Sequence, residues 1–479
     1  MSNLKQKTLK GIIWSSVERF SAQGVQFVLG LILARLLLPS DYGLIGMLTI
    51  FLAISQTFID SGFGTALIQK KKRDDLDFST IFYFNIIIGL FFYIILFLTA
   101  PIIATFFKNP QLVLLTRIIG LTIIINALGV IQIAKFTIEV DFKSQTKASV
   151  LSIIVSGIIG ITLAYMGFGV WSLVIQAILR GLINNFFLWH ISKWMPIYGF
   201  SFTRLKVMFS YSSKILLSEL INTLYSNSYL IIIGKLFSAN ILGFFTRASQ
   251  FSSFPATNIT GIISRVTFPV LSELQDNTEK LREAYKKIIK MSALIVFPLM
   301  LGLAALAEPT IITILTEKWR ESIWMLQLLC FAMMWYPINA INLNVMKVKG
   351  RSDLFLKIEV YKKAFIVIVL IISVPLGIKA MIIGQIITSY IALFINLFYT
   401  KNLINYGFWK QMYDLLPILL LSFAMGVLIY GTNLFIKSNL IKLIVGLFEG
   451  LVFYIGSAWL FNMGEIREIP VMIKGLRKQ

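Results

Sequence analysis

FSYSSKILLSELINTLYSNSYLIIIGKLF (209–237) and LGFFTRASQFSSFPATNITGIISRVTFPVL (242–271) are two long apolar runs, and each is polar inside. In the first, Tyr211, Lys214, Ser218, Asn222, Tyr225 and Tyr229 recur three or four residues apart, with Glu219 beside them. In the second, Arg247, Gln250, Phe254, Asn258, Gly261 and Arg265 do the same. A period of 3.6 gathers each set on one helix face. Lipid rejects such a face, because an Arg or Lys at the bilayer centre costs roughly 3 kcal/mol even on the lenient insertion scale. Both faces therefore turn inward, toward neighbouring helices, a wet cavity or an anion. For the set as a whole, a cavity is the expectation.

The rest of the chain is a membrane protein around these two runs. It is 57% hydrophobic and 14% charged over 479 residues, with a mean hydropathy of +0.82. That length suits about fourteen spans of ~20 residues with short connections. The net charge of +22 is spread over many short loops, which fits a membrane surface and speaks against nucleic acid. Cys330 is the one cysteine, so no internal disulfide forms. His190 ends a span and reads as interfacial. The start of the chain lacks a clear cleavage site, and no removable signal peptide is expected.

Spans are expected near 12–36, 42–68, 79–106, 112–134, 148–166, 170–191, 209–237, 242–271, 288–307, 323–345, 354–376, 380–400, 415–436 and 440–461. The loops check that count. Clusters such as Lys70 to Arg73, Lys143 with Lys147, Arg204 with Lys206, and Lys347 with Arg351 alternate with nearly bare loops. The bare set holds single cations such as Arg35, Lys108 and Lys379. The positive-inside rule then places both termini in the cytoplasm. The mixed-sign segment 272–285 is expected to be a cytoplasmic linker or helix between the working parts, and Asp74, Asp75 and Asp77 read as charge balance. Pro255, Pro298, Pro337 and Pro375 fall inside or at the ends of spans as candidate bends.

The chain also echoes itself. Ala34-Arg35-Leu36 followed by Gly43 finds a counterpart in Gly234-Lys235-Leu236 followed by Gly243, an offset of 200 residues. Two six-span lobes follow, 1–206 and 207–405, with two appended spans and a tail over 406–479. Transporters commonly contain such repeats, with the site near mid-membrane.

The cations inside spans are Arg19, Arg117, Arg180, Lys214, Arg247 and Arg265; the anions are Glu18, Asp60 and Glu219. Arg247 and Arg265 are eighteen residues apart, about 27 Å along a straight helix. Arg forks suit phosphate, and the excess of cations points to an anionic cargo. Arg19, Lys214 and Arg247 are the first candidates for a diphosphate, with Arg117, Arg180 and Arg265 in support. Arg265 either takes part or snorkels to the interface. Gln23, Asn222, Gln250 and Asn258 are candidate polar lining. Glu18, Asp60 and Glu219 are either proton or sodium sites or ion-pair partners. No cofactor or metal is expected, and coupling to membrane potential, H+ or Na+ stays open. No P-loop is present, and the outer loops are too short to hold a glycosyltransferase site.

The residues that carry a family likeness run in order along the chain. They include Leu33-Ala34-Arg35-Leu36-Leu37 with Pro39-Ser40-Asp41-Tyr42-Gly43, and Asp60-Ser61-Gly62-Phe63-Gly64 with Ala66-Leu67-Ile68-Gln69. Gly169-Val170-Trp171-Ser172, Phe268-Pro269-Val270-Leu271-Ser272 and Gly350-Arg351-Ser352-Asp353 follow. In these the chain resembles Wzx-type polysaccharide exporters of the multidrug/oligosaccharidyl-lipid/polysaccharide superfamily, in the branch of colanic-acid and teichuronic-acid exporters. The resemblance implies an all-α polytopic fold of about fourteen helices, two six-helix lobes in a MATE-like arrangement and two further helices. It implies flipping of an undecaprenyl-diphosphate-linked oligosaccharide across the bacterial cytoplasmic membrane by alternating access, without enzymatic chemistry. Polysaccharide polymerase and assembly proteins are expected partners. The competing readings are a cation-coupled multidrug exporter of the same fold, a membrane-embedded glycosyltransferase and a non-transporting scaffold.

Overall fold

The computed structural model describes residues 22–60, 63–70 and 72–461. Glu18 and Arg19 lie outside them, as do the side chains of Lys214 and Arg265. All regular structure among the described residues is helical. The helices are α1 (Ala22–Leu36), α2 (Pro39–Asp60), α3 (Phe63–Gln69), α4 (Asp75–Phe107), α5 (Leu112–Ile119), α6 (Leu121–Ala127), α7 (Val130–Glu139), α8 (Phe142–Tyr165) and α9 (Val170–Ser192). There follow α10 (Phe202–Leu236), α11 (Ala239–Glu273), α12 (Thr278–Ala305), α13 (Ala307–Leu315), α14 (Ser322–Met333), α15 (Tyr336–Val348), α16 (Ser352–Ser373), α17 (Ile378–Ile404), α18 (Phe408–Asn433) and α19 (Asn439–Leu460). Among the described residues, ten helical stretches are long and apolar enough to cross a membrane, counting α5–α7 and α14–α15 as one stretch each. The chain is a multi-pass membrane protein. Of the long helices, α10, α11 and α16 fall outside that set. The first two are the polar-faced runs.

Several helices run beyond their apolar part. Ser201 caps α10 and Asn277 caps α12, each accepting a backbone N–H from the third residue on. Such caps satisfy end groups that have no intrahelical partner. Segment 272–285 is thus the end of α11, a short turn and the first turns of α12, not a separate linker. The expected span 112–134 is three helices, broken at Gly120 and at Leu128–Gly129. Pro255 and Pro298 sit inside α11 and α12, Pro337 opens α15, and Pro375 lies in the 3-10 turn after α16.

The chain forms two compact units, residues up to Thr246 and residues from Arg247. In the first, α2 and the start of α11 meet without side chains between them. A Cβ on Gly43 would lie 1.8 Å from the carbonyl oxygen of Ala239, and one on Gly243 would lie 1.8 Å from that of Pro39. Pro39 and Ala239 are again 200 residues apart, so the two echoing segments meet in a reciprocal backbone contact. Nearby, Asp74 and Asp77 form a capping box at the start of α4. Lys70 Nζ donates to both Asp77 oxygens at 2.6 Å. Arg204 pairs with Asp74 and lies 3.1 Å from Asp77. Trp194 Nε1 donates to Asp75 at 3.1 Å. These acids tie α4 to the start of α10, which is more than charge balance.

In the second unit a buried polar network joins four helices. The Tyr285 hydroxyl of α12 donates to Asn342 of α15 and approaches Gln411 of α18 at 3.3 Å. Thr400 of α17 donates to the same Asn342 oxygen at 2.9 Å. Gln411 reaches the Tyr406 carbonyl at 3.0 Å, and Asp414 accepts from the Tyr406 hydroxyl at 2.5 Å and pairs with Lys286 at 3.0 Å. Burial and then this bond push the Tyr406 phenol upward, so it stays a donor. Gly446 and Gly450 seat α19 against Ile429 of α18, as small residues do between membrane helices.

Gly43→Val puts side-chain atoms onto a carbonyl, and overpacking costs about 1–3 kcal/mol. A thermal melt of the purified variant is expected to show a clear fall in Tm. Gly456→Ala, where nothing lies within 4 Å, is expected to leave it unchanged. The Arg204 hydrogen bond holds the Asp74 carboxyl below its ordinary range. The stability this contributes is complete above the unfolded value of about 3.9 and is lost as pH falls toward the lower folded value. Melts taken from pH 6 downward are expected to show a decline that Arg204→Gln makes shallower.

Candidate functional site

The break in the α5–α7 stretch builds the site. A helix interrupted at membrane depth frees backbone groups that lipid cannot satisfy. Here side chains of α9 reach two carbonyls at the joint, one of which, that of Ile125, also accepts the Leu128 N–H at 3.2 Å. Asn185 Nδ2 donates to the Ile125 carbonyl, and Trp189 Nε1 donates to that of Leu128 at 3.0 Å. Two glycines allow the approach. A Cβ on Gly129 would sit 2.2 Å from Asn185 Oδ1, and one on Gly181 would sit 2.9 Å from Ile125.

Two cavities open beside this joint. One, of about 390 Å³, is lined by Gln56, Asp60, Asn126, Thr137, Asn184 and Asn185 among others. The second, of about 410 Å³, is lined by Thr122, Asn126, Ser149, Ser152, Arg180 and Asn184 among others. They share Asn126 and Asn184. Asn126 Nδ2 donates to Gln56 Oε1 at 2.9 Å, and Gln56 Nε2 donates to Asp60 Oδ1 at 2.9 Å. The carboxylate is thereby held by an amide relay from α6 through α2. Ala177, Arg180, Gly181 and Asn184 form one stripe on α9, as the helical period requires.

Arg180 is the cation on these walls. Among the described residues it has no hydrogen-bond or ion-pair partner. A guanidinium on a membrane helix without a carboxylate is costly, and its five donors are left for water or an anionic ligand.

The other expected site residues are distributed differently. Arg117 lies over the Phe97 ring, 4.4 Å from its centroid, and donates to the Phe97 carbonyl at 3.4 Å. It lines neither cavity. Arg247 is buried and donates to Gln250 on the next turn of α11. Asn258 donates back to Phe254 at 2.8 Å. Glu219 and Asn222 are exposed on α10, and Gln23 is half-buried on α1. Tyr229 is buried and stacks on Phe245 at 6.4 Å. The structure thus brings Asp60 and Arg180 to one polar region. The amides Gln56, Asn126, Asn184 and Asn185 were not among the expected lining. Their signal was the spacing: Gln56 and Asn184 stand four residues from Asp60 and Arg180.

The family profile described as polysaccharide biosynthesis protein matches residues 32–324. The teichuronic acid biosynthesis protein TuaB of Bacillus subtilis is 27% identical over 74% of this chain and 74% of its own length. The lipopolysaccharide biosynthesis protein WzxC of Escherichia coli is 25% identical over 90% of this chain and 89% of its own. Among solved structures, the lipid II flippase MurJ in an inward closed conformation matches with a TM-score of 0.78 and 16% identity, covering 95% of this chain and 100% of that one. An inward-facing multidrug resistance MATE transporter of the MOP superfamily matches at 0.61 and 16% identity, covering 82% and 98%. These two likenesses are of fold. The profile match spans more than half of the chain, and the chain belongs to the polysaccharide biosynthesis protein family.

Proposed function

We propose that this protein flips a polyprenyl-diphosphate-linked oligosaccharide from the cytoplasmic to the outer leaflet of the bacterial cytoplasmic membrane. The observation that carries this reading is Arg180, a guanidinium without a partner on the wall of an amide-rich cavity. Amides and hydroxyls suit sugar hydroxyls, and the guanidinium suits phosphate. The family and the fold likeness support transport rather than catalysis. About fourteen spans with both termini cytoplasmic complete the proposal, as does the division into 1–206, 207–405 and 406–479. Arg19, Lys214, Arg247 and Arg265 stay in it as diphosphate ligands on their helix-face positions alone, with Glu219 and Glu18 as ion-coupling candidates. Asp60, tethered by Gln56, is the coupling candidate with a described setting. Membrane potential supplies a driving force without an ion. Two negative charges moving outward gain about 4.6 kcal/mol per 100 mV, from ~2.3 kcal/mol each.

A multidrug exporter of the same fold would use carboxylates as its main site charges, and the two cavities beside the α5–α7 joint hold one carboxylate against one guanidinium. In reconstituted vesicles, Arg180→Ala is expected to slow flipping of the lipid-linked oligosaccharide at least about tenfold, the worth of a charged hydrogen bond. Arg180→Lys is expected to fall between, and Arg117→Ala to match the parent chain. Equal flipping by Arg180→Ala at equal protein level would remove Arg180 from the site. Absence of flipping by the parent chain would remove the function.

A further inference from the structure

A third cavity, of about 310 Å³, lies wholly within the second unit. Its walls come from the start of α13, the turn into α14, the end of α18 and the start of α19, with Glu308, Arg320, Glu321, Trp324, Asn433 and Lys442 among its lining. None of these belongs to the substrate site proposed above.

The charges here are arranged around a gap. Glu308 faces Arg320 at 3.9 Å and Lys442 at 3.8 Å, too far for a hydrogen bond to either. Arg320 spends its Nε on Glu317, which leaves its Nη donors facing the cavity side of Glu308. Among the described residues, Glu321 accepts a long 3.3 Å bond from Trp324. Asn433 is 6% exposed, and neither of its amide atoms has a hydrogen-bond partner among the described residues. A buried amide with both ends unmet is rare and costs stability unless a ligand or water completes it.

Two carboxylates and two cations cancel on these walls. A simple anion or cation would leave half of them unmatched, and a neutral sugar would leave all four. A zwitterion matches both signs. Of the lining, Tyr430 and Leu434 at the end of α18 are exposed apolar side chains, and Phe435 just after them and Ile441 at the start of α19 are exposed as well.

We propose that this cavity binds the headgroup of a zwitterionic phospholipid of the phosphoethanolamine type. The phosphate takes Lys442, with the Asn433 amide donating to it, while Arg320 stays with Glu317. The ammonium faces Glu308 and Glu321, and the acyl chains lie along Tyr430, Leu434 and Phe435. The volume holds about ten waters at ~30 Å³ each, which fits a headgroup and not an oligosaccharide. A bound lipid there would splint α18 and α19 to α13 and α14.

The test uses the purified, delipidated full chain in detergent, followed by thermal melts against added ligand. Short-chain phosphatidylethanolamine is expected to raise Tm in a saturable way. Phosphatidylglycerol of the same chain length and glucose are expected to do nothing, and free phosphoethanolamine to act only at much higher concentration. Lys442→Gln is expected to raise the half-saturating lipid concentration at least about tenfold, as loss of a charged hydrogen bond does. Asn433→Leu is expected to do the same while leaving the unliganded Tm equal or higher, since it removes an amide without a partner. Equal response to the two phospholipids, a response to glucose, or an unaltered lipid response in both variants would overturn the proposal.

Discussion

Hydrocarbon offers no hydrogen bonds, and the polar features that hold this fold together answer that constraint. Where the α5–α7 stretch breaks, Asn185 and Trp189 bond the carbonyls on either side of the joint. Where polar side chains enter the second unit, Tyr285, Asn342, Thr400 and Gln411 satisfy one another. Such networks are stable only when complete. Arg180 stands out because its environment is polar but does not include a counter-charge.

The first unit pairs rigidity with openness in a small space. Backbone meets backbone at Gly43 and Gly243, and Asp74 and Asp77 fasten α4 to the start of α10. Between these fixed points α9 leans on a broken helix, and the lean leaves room for two polar cavities. The glycines at 129 and 181 do opposite work to those at 43 and 243 only in appearance. All four remove a side chain so that another group can approach. What differs is whether the group is a carbonyl of a neighbouring helix or the amide and aliphatic side chains that frame a cavity.

Hydropathy carried most of the architecture. Alternating apolar runs and cationic loops outlined most of the helices, whereas the 200-residue echo gave no sign that its two copies touch, as α2 and the start of α11 do. Hydropathy was blind past the apolar edge, where caps such as Asn277 and Ser201 carry helices onward through charged residues. It was equally blind to the breaks at Gly120 and Gly129, since apolar composition persists across them. Asp60 and Arg180 were legible as charges out of place, whereas their amide neighbours were passed over because a lone Asn or Gln in a span carries little signal.

The sequence by itself determined that the chain lives in a membrane, roughly where its apolar runs lie and which polar faces cannot meet lipid. Those conclusions follow from transfer energies that belong to each residue regardless of its neighbours. Only the tertiary structure decided what each of these cations meets. Arg117 rests on Phe97, Arg247 is bonded to Gln250, and Arg180 faces a cavity. Arg247 and Gln250 stand three apart on one helix, a spacing the sequence shows, whereas for Arg117 and Arg180 the distinction depends on what a neighbouring helix places near the guanidinium.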